Sequence, residues 1–198
     1  MQRGLRKIAL EKLATGPLAV SPTLAPAQQR QTVARGGKAI GGKAISVKAV
    51  RPRIQYPDAS NNPGNMRGYK SVKWYGANPV TQEGKFLTFK SPYLGFRAMV
   101  RNLMNIGNDR TRTKAFTPRE VATIYAPKSE NDHDSYFKNF ERATKLNPDQ
   151  VINSNDDGQM VDYALGVVGA ESGDKALQFF KQDLPAVTNA VRSARKSL

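Results

Sequence analysis

Carboxylic acids are the first residues to consider for chemistry, because most other reacting groups are missing. The chain of 198 residues has no cysteine and one histidine, His133. Disulfide frameworks, thiolate metal sites and cysteine nucleophiles are excluded, and so are multi-histidine zinc centres. A Ser-His-Asp triad would have to use His133, which the sequence places on the surface of a helix start. Glu171, in Ala170-Glu171-Ser172-Gly173, closes an apolar helical stretch. A carboxylate there faces the negative end of the helix macrodipole, which disfavours its charge and raises its pKa. A proton donor at neutral pH needs a shift in that direction. The plainer alternative is a C-terminal helix acid followed by a glycine cap. Glu130, in Ser129-Glu130-Asn131-Asp132, is the second candidate. Together with Asp132 and Asp134 it equally fits simple complementation of a first-turn dipole. Glu83 reads as a solvated acid in a turn.

Binding groups cluster elsewhere. Asn61-Asn62-Pro63-Gly64-Asn65-Met66-Arg67 is strong loop chemistry: proline fixes φ, glycine allows positive φ, and asparagine bonds nearby backbone. It is either an ordinary turn or a loop that presents ligand-binding groups. Residues 153–158 (NSNDDG) begin like a calcium loop, but its twelfth position is Ala164 rather than a bidentate glutamate. A helix cap fits better there. Neither a metal nor any other cofactor is expected.

The elements that must position these groups are mostly helical. Ser91-Pro92 is an N-cap followed by proline, and Phe96, Met99, Val100, Leu103 and Ile106 keep one face apolar up to Gly107. A basic loop, 108–115, follows. Thr117-Pro118-Arg119-Glu120 has capping-box spacing, and its helix stops at Ala126-Pro127. A third helix over 131–144 turns Tyr136, Phe137 and Phe140 inward, and Asn147-Pro148-Asp149-Gln150 starts a short fourth. Asp156 or Asp157 caps a fifth, with Met160, Val161, Ala164, Leu165 and Val168 on its apolar face. Residues 175–198 make one or two more helices, interrupted at Pro185 and ending in a basic tail. Ahead of all these, residues 69–76 and 85–89 read as the two strands of a hairpin. The predicted class is mostly α (α+β), a helix-rich domain with one small β-hairpin.

Charge divides the chain. Net charge is +15, and residues 1–55 hold eleven Lys/Arg against one acid, Glu11. An anionic partner is therefore the default: nucleic acid, an acidic membrane surface or an anionic wall polymer. Residues 3–14 can form a short helix, and 16–35 are Pro-, Ala- and Gln-rich. The repeat Gly36-Gly37-Lys38-Ala39-Ile40 / Gly41-Gly42-Lys43-Ala44-Ile45 is flexible, and 45–51 are strand-like. This arm either tracks a partner or is simply solvated. Residues 13–27 read as a linker rather than a cleaved signal, and no run approaches the roughly 18 apolar residues of a membrane span.

Taken in order, NNPGNMR, Trp74 with Gly76, Phe86-x-x-Phe89-x-Ser91-Pro92, Gly95-Phe96-Arg97-Ala98 and Ala126-Pro127-x-Ser129-Glu130-Asn131-Asp132 with Tyr136 carry a family likeness. The series resembles bacteriophage structural or internal virion proteins with a lysozyme-like domain. It covers about residues 58–174 and departs from the pattern at Met66 and Tyr75. The resemblance implies a lysozyme-like helical domain over 56–174; it leaves unexplained the basic low-complexity N-terminal arm, 1–55, and the C-terminal helical basic tail, 175–198, which composition sets apart. It also implies a virion location, a place in a symmetric assembly, and cleavage or binding of peptidoglycan glycan strands during envelope penetration. Glu171-Ser172 resembles the Glu-Ser of lytic transglycosylases, whose catalytic glutamate ends a helix before a hairpin region. Here the hairpin comes first, so the match requires a permuted order. Glu171 is then the favoured acid and Glu130 the alternative. Asn62, Asn65, Arg67, Tyr69, Trp74 and Tyr75 would bond to or stack on sugar rings, although Tyr69 and Trp74 equally suit a hairpin core. The arm would hold other virion proteins or packaged DNA. Two other classes stay open: a non-catalytic virion assembly protein, and a sequence-nonspecific nucleic-acid-binding protein whose affinity falls steeply with salt.

Overall fold

The computed structural model describes residues 54–196. The expectations for the arm, apart from its last two residues, lie outside the described residues. Five helices and a two-stranded antiparallel sheet make up the described fold, which is mostly α, as the helix signals require. They are α1 (Pro92–Thr111), β1 (Ala115–Phe116), α2 (Pro118–Tyr125), α3 (His133–Thr144), β2 (Ile152–Asn153), α4 (Asp157–Lys181) and α5 (Leu184–Arg195). Among the described residues no helix is long and apolar enough to cross a membrane.

The helix starts follow their caps. Ser91 accepts from the Leu94 N–H, and Pro92 sits in the first turn of α1. Thr117 Oγ1 accepts from the Glu120 N–H at 3.2 Å while Glu120 Oε2 accepts from the Thr117 N–H at 2.8 Å, a complete capping box for α2. Asp156 caps α4 by accepting from the Gln159 N–H at 3.0 Å, and Asp183 caps α5. The core lies between α1, α4 and α5, where Phe96, Met99, Leu103, Met160, Val168, Phe180, Val187 and Val191 are fully buried. A ring cluster of Tyr56, Tyr93, Phe96, Phe179 and Phe180 closes one end of it.

Several local expectations are corrected. Helix α1 does not end at Gly107 but runs to Thr111 and stops at Arg112, whose φ of 53° is left-handed. Gly107 serves packing instead: a Cβ there would lie 2.2 Å from Phe116 Cδ1, so only glycine lets β1 lie against the helix. The basic loop shrinks accordingly. Residues 147–150 form a turn, with Asn147 accepting from the Asp149 and Gln150 N–H groups, and no helix. His133 is buried rather than exposed. Its Nε2 lies 2.7 Å from the Ala126 carbonyl oxygen, joining the end of α2 to the start of α3.

The expected hairpin is also replaced. The sheet is β1 with β2, pairing Ala115 with Asn153 and Phe116 with Ile152. Residues 69–76 instead curl through two turns, Val72 N–H to Tyr69 O and Ala77 N–H to Trp74 O, with Gly76 at φ 79°. Residues 85–89 therefore meet the flanks of that curl. Gly68 donates to Lys85 and Leu87 to Met66, both at 2.8 Å, and isolated bridges join Arg67 to Phe86 and Ala77 to Phe89.

Candidate functional site

The 61–67 loop is wedged between α1, α2 and α4. Asn61 and Asn65 take left-handed φ values of 54° and 48°, a conformation asparagine tolerates. Asn62 is buried, and its side chain bonds wholly within the neighbouring backbone. Nδ2 donates to the Met66 carbonyl at 2.9 Å and the Leu87 carbonyl at 3.0 Å, and Oδ1 accepts from the Met66 N–H at 3.0 Å. Asn62 thus shapes the loop and ties it to residues 85–89. Two glycines allow the close approach. A Cβ at Gly95 would sit 1.9 Å from the Asn61 carbonyl oxygen, and one at Gly64 would sit 2.2 Å from the Tyr125 hydroxyl. That hydroxyl donates to the Gly64 carbonyl at 2.5 Å.

The loop reaches Glu171 through Asn65. Asn65 Nδ2 donates to Glu171 Oε2 at 3.1 Å and to the Glu171 carbonyl at 2.9 Å. Ser172 Oγ adds a bond to the Pro63 carbonyl at 2.9 Å. Immediately beyond, Gly173 breaks the helix with φ 75° and ψ −174°, a region open essentially to glycine alone. The chain then resumes helix to Lys181. The break ends the first part of α4 at Glu171-Ser172, so Asn65 satisfies a carbonyl left without a helical donor.

Burial dominates the electrostatics of Glu171. Its carboxyl is partly buried, and desolvation raises its pKa from 4.5 to about 7 against a smaller lowering by the Asn65 bond. Among the described residues no cation pairs with it. Tyr125 and Tyr136 stand near enough for the Glu171 charge to add to the burial that holds their hydroxyls protonated well above the usual tyrosine range. Glu171 is therefore a carboxyl group that carries its proton part of the time at neutral pH, on a surface built by asparagine, serine and tyrosine.

The other anticipated residues are distributed around it. Arg67 leads away from the loop toward Glu130, with Nη2 3.9 Å from Glu130 Oε2. The loop thus touches both candidate acids, Glu171 through Asn65 and Glu130 through Arg67. Trp74 is partly buried and packs on the core, whereas Tyr75 is 58% exposed with the Arg97 Cζ 5.3 Å from its ring centroid. The Tyr69 carbonyl caps the first turn of the curl, and its ring is partly exposed. Glu83 accepts from the Lys70 N–H at 3.3 Å. Sequence reasoning did not single out Tyr125, beside Ala126-Pro127, and gave Tyr136 an inward place in the third helix without linking it to Glu171. Neither spacing says that both hydroxyls stand within reach of the Glu171 charge.

Among the described residues no three acids or histidines are grouped to hold a metal. In the 153–158 loop, Asp156 is the α4 cap and Asp157 pairs with Arg192 and Arg195 at 2.5 and 2.6 Å. Comparison with protein-family models gives no match for this chain, and neither does comparison with curated proteins.

Proposed function

We propose that the described domain is a lysozyme-like module of a bacteriophage particle that cleaves peptidoglycan glycan strands, with Glu171 as proton donor. The observation that carries this reading is the Glu171 carboxyl itself. It is partly buried, shifted to about 7, and bonded by Asn65 of the NNPGNMR loop. Glu171 gives its proton to the glycosidic oxygen as the C1–O bond breaks. The carboxylate left behind takes a proton from the hydroxyl that attacks C1, which restores the acid. One carboxyl group suffices when the substrate's own acetamido group or C6 hydroxyl supplies the nucleophile. Asn65 orients the carboxyl, and Glu130 acts through Arg67 rather than on the bond. The basic arm anchors the protein to other virion proteins or packaged DNA within a symmetric assembly.

A non-catalytic assembly module is the second reading, favoured by one specific feature. Asn65 and Ser172 make the Glu171 segment part of the loop's own anchorage. Clearing of purified sacculi by the full chain separates the two readings. Catalysis predicts clearing that Glu171→Gln abolishes. The assembly reading predicts no clearing by either protein.

A further inference from the structure

Phe86 is exposed over 56% of its surface, although Leu87 and Phe89 beside it are buried. A single exposed aromatic is unremarkable on its own, but this one sits in a constructed setting. Arg67 faces it across an isolated antiparallel bridge, so the two side chains emerge on the same face. The Arg67 Cζ lies 4.9 Å from the ring centroid, and Nη1 donates to the Gly84 carbonyl at 2.9 Å. With Glu130 at 3.9 Å, these contacts hold the guanidinium against the ring. Phe86 is also among the residues that line a groove of about 120 Å³, with Gly68, Asn78, Val80, Gln82 and Leu87, and Arg67 stands outside that lining. Whole small-molecule ligands occupy pockets of roughly 300–1,000 Å³. A groove this small suits one ring of a longer chain. Its lining sets apolar Val80 and Phe86 beside polar Gln82, Lys85 and Thr88, with the Asn78 amide bonded to Thr88 Oγ1 at 2.8 Å, a mixture that complements the apolar and hydroxyl faces of a sugar ring.

Arg67, paired with Phe86 and next in sequence to Gly68 of this groove, leads back toward the Glu171 site. Asn65, which bonds to Glu171, and Arg67 are two residues apart, so their Cα atoms are at most about 7 Å apart. We propose that Phe86 and Arg67 form a saccharide-stacking subsite that holds an N-acetylated sugar ring of the strand presented to Glu171. The apolar CH face of the sugar lies on the Phe86 ring. Arg67 donates to its acetamido or hydroxyl oxygens, and Glu130 is a positioning residue for Arg67. The subsite rests on the glycan reading above.

The test uses the full chain carrying Glu171→Gln and a neutral probe, β-1,4-linked N-acetylglucosamine oligosaccharides, so that the charge of the basic arm contributes nothing. Titration calorimetry should find binding that Phe86→Ala weakens about tenfold, the scale of a stacked aromatic contact, and that Phe86→Trp retains. Because Phe86 is exposed, the unfolding midpoint should not move. Equal binding with and without Phe86→Ala would overturn the subsite and leave the glycan reading standing. If the Glu171→Gln chain itself fails to bind, both fall.

Discussion

Replacing Glu171 with glutamine should stabilise the protein, but only above mildly acidic pH. In the folded chain the carboxyl titrates at about 7, against 4.5 for the ordinary group. Between those two values the folded state keeps a proton that the unfolded state has released. Stability therefore falls as pH rises through this window, by about 1.4 kcal/mol for each pH unit, and stays level above it. The full gap corresponds to about 3 kcal/mol, reduced toward about 2 because the group keeps some contact with water. Glutamine cannot ionise, and its amide oxygen can still accept from Asn65. Urea unfolding of both proteins should give matching midpoints near pH 4. At pH 8 the variant midpoint should lie higher by about 1 M, taking a urea slope of about 2 kcal/mol/M. A variant destabilised equally at every pH would refute the account of a desolvated carboxyl, and so would a wild-type stability that is flat across the window.

Two further substitutions probe how the site is held. Gly173→Ala adds a methyl that meets nothing within 4 Å, so its cost comes from backbone conformation alone, about 1–3 kcal/mol. Thermal unfolding measures that loss, and under the proposed function the altered helix break should also reduce release of muropeptides from sacculi. Asn62→Ala strands the Met66 N–H and the Leu87 carbonyl, at about 1–3 kcal/mol for each group that stays buried, while the Met66 carbonyl keeps the Leu87 N–H. It should also speed amide exchange at Met66, whose N–H donates to Asn62 Oδ1, and unchanged protection there would remove Asn62 from the loop's framework.

Much of the helical frame was legible because its signals are local. Ser91-Pro92, the Thr117–Glu120 box and Asp156 each act within one turn, so residue types and spacing suffice. The failures are contacts between distant segments. Gly107 looks like a stop until Phe116 is known to press on it. His133 looks solvated until the Ala126 carbonyl is found beside it. Residues 69–76 are rich in strand formers, yet two turns curl them, because β propensity depends on which neighbours the chain finds. At the site, Glu171 was legible from its place at a helix end before glycine. The juxtaposition with Asn65 spans 106 residues of sequence and is visible only in the fold. Gly173 was read as an ending and is a break within a longer helix, since its φ of 75° with ψ of −174° turns the chain without stopping it.

Release of soluble muropeptides from purified sacculi, followed for wild type and Glu171→Gln from about pH 5 to about pH 8, tests the central claim most directly. The account predicts release by the wild type that declines as pH rises through about 7, where Glu171 loses its proton, and none by the variant. Equal release by both proteins would contradict Glu171 as the donor, and no release by either would contradict catalysis.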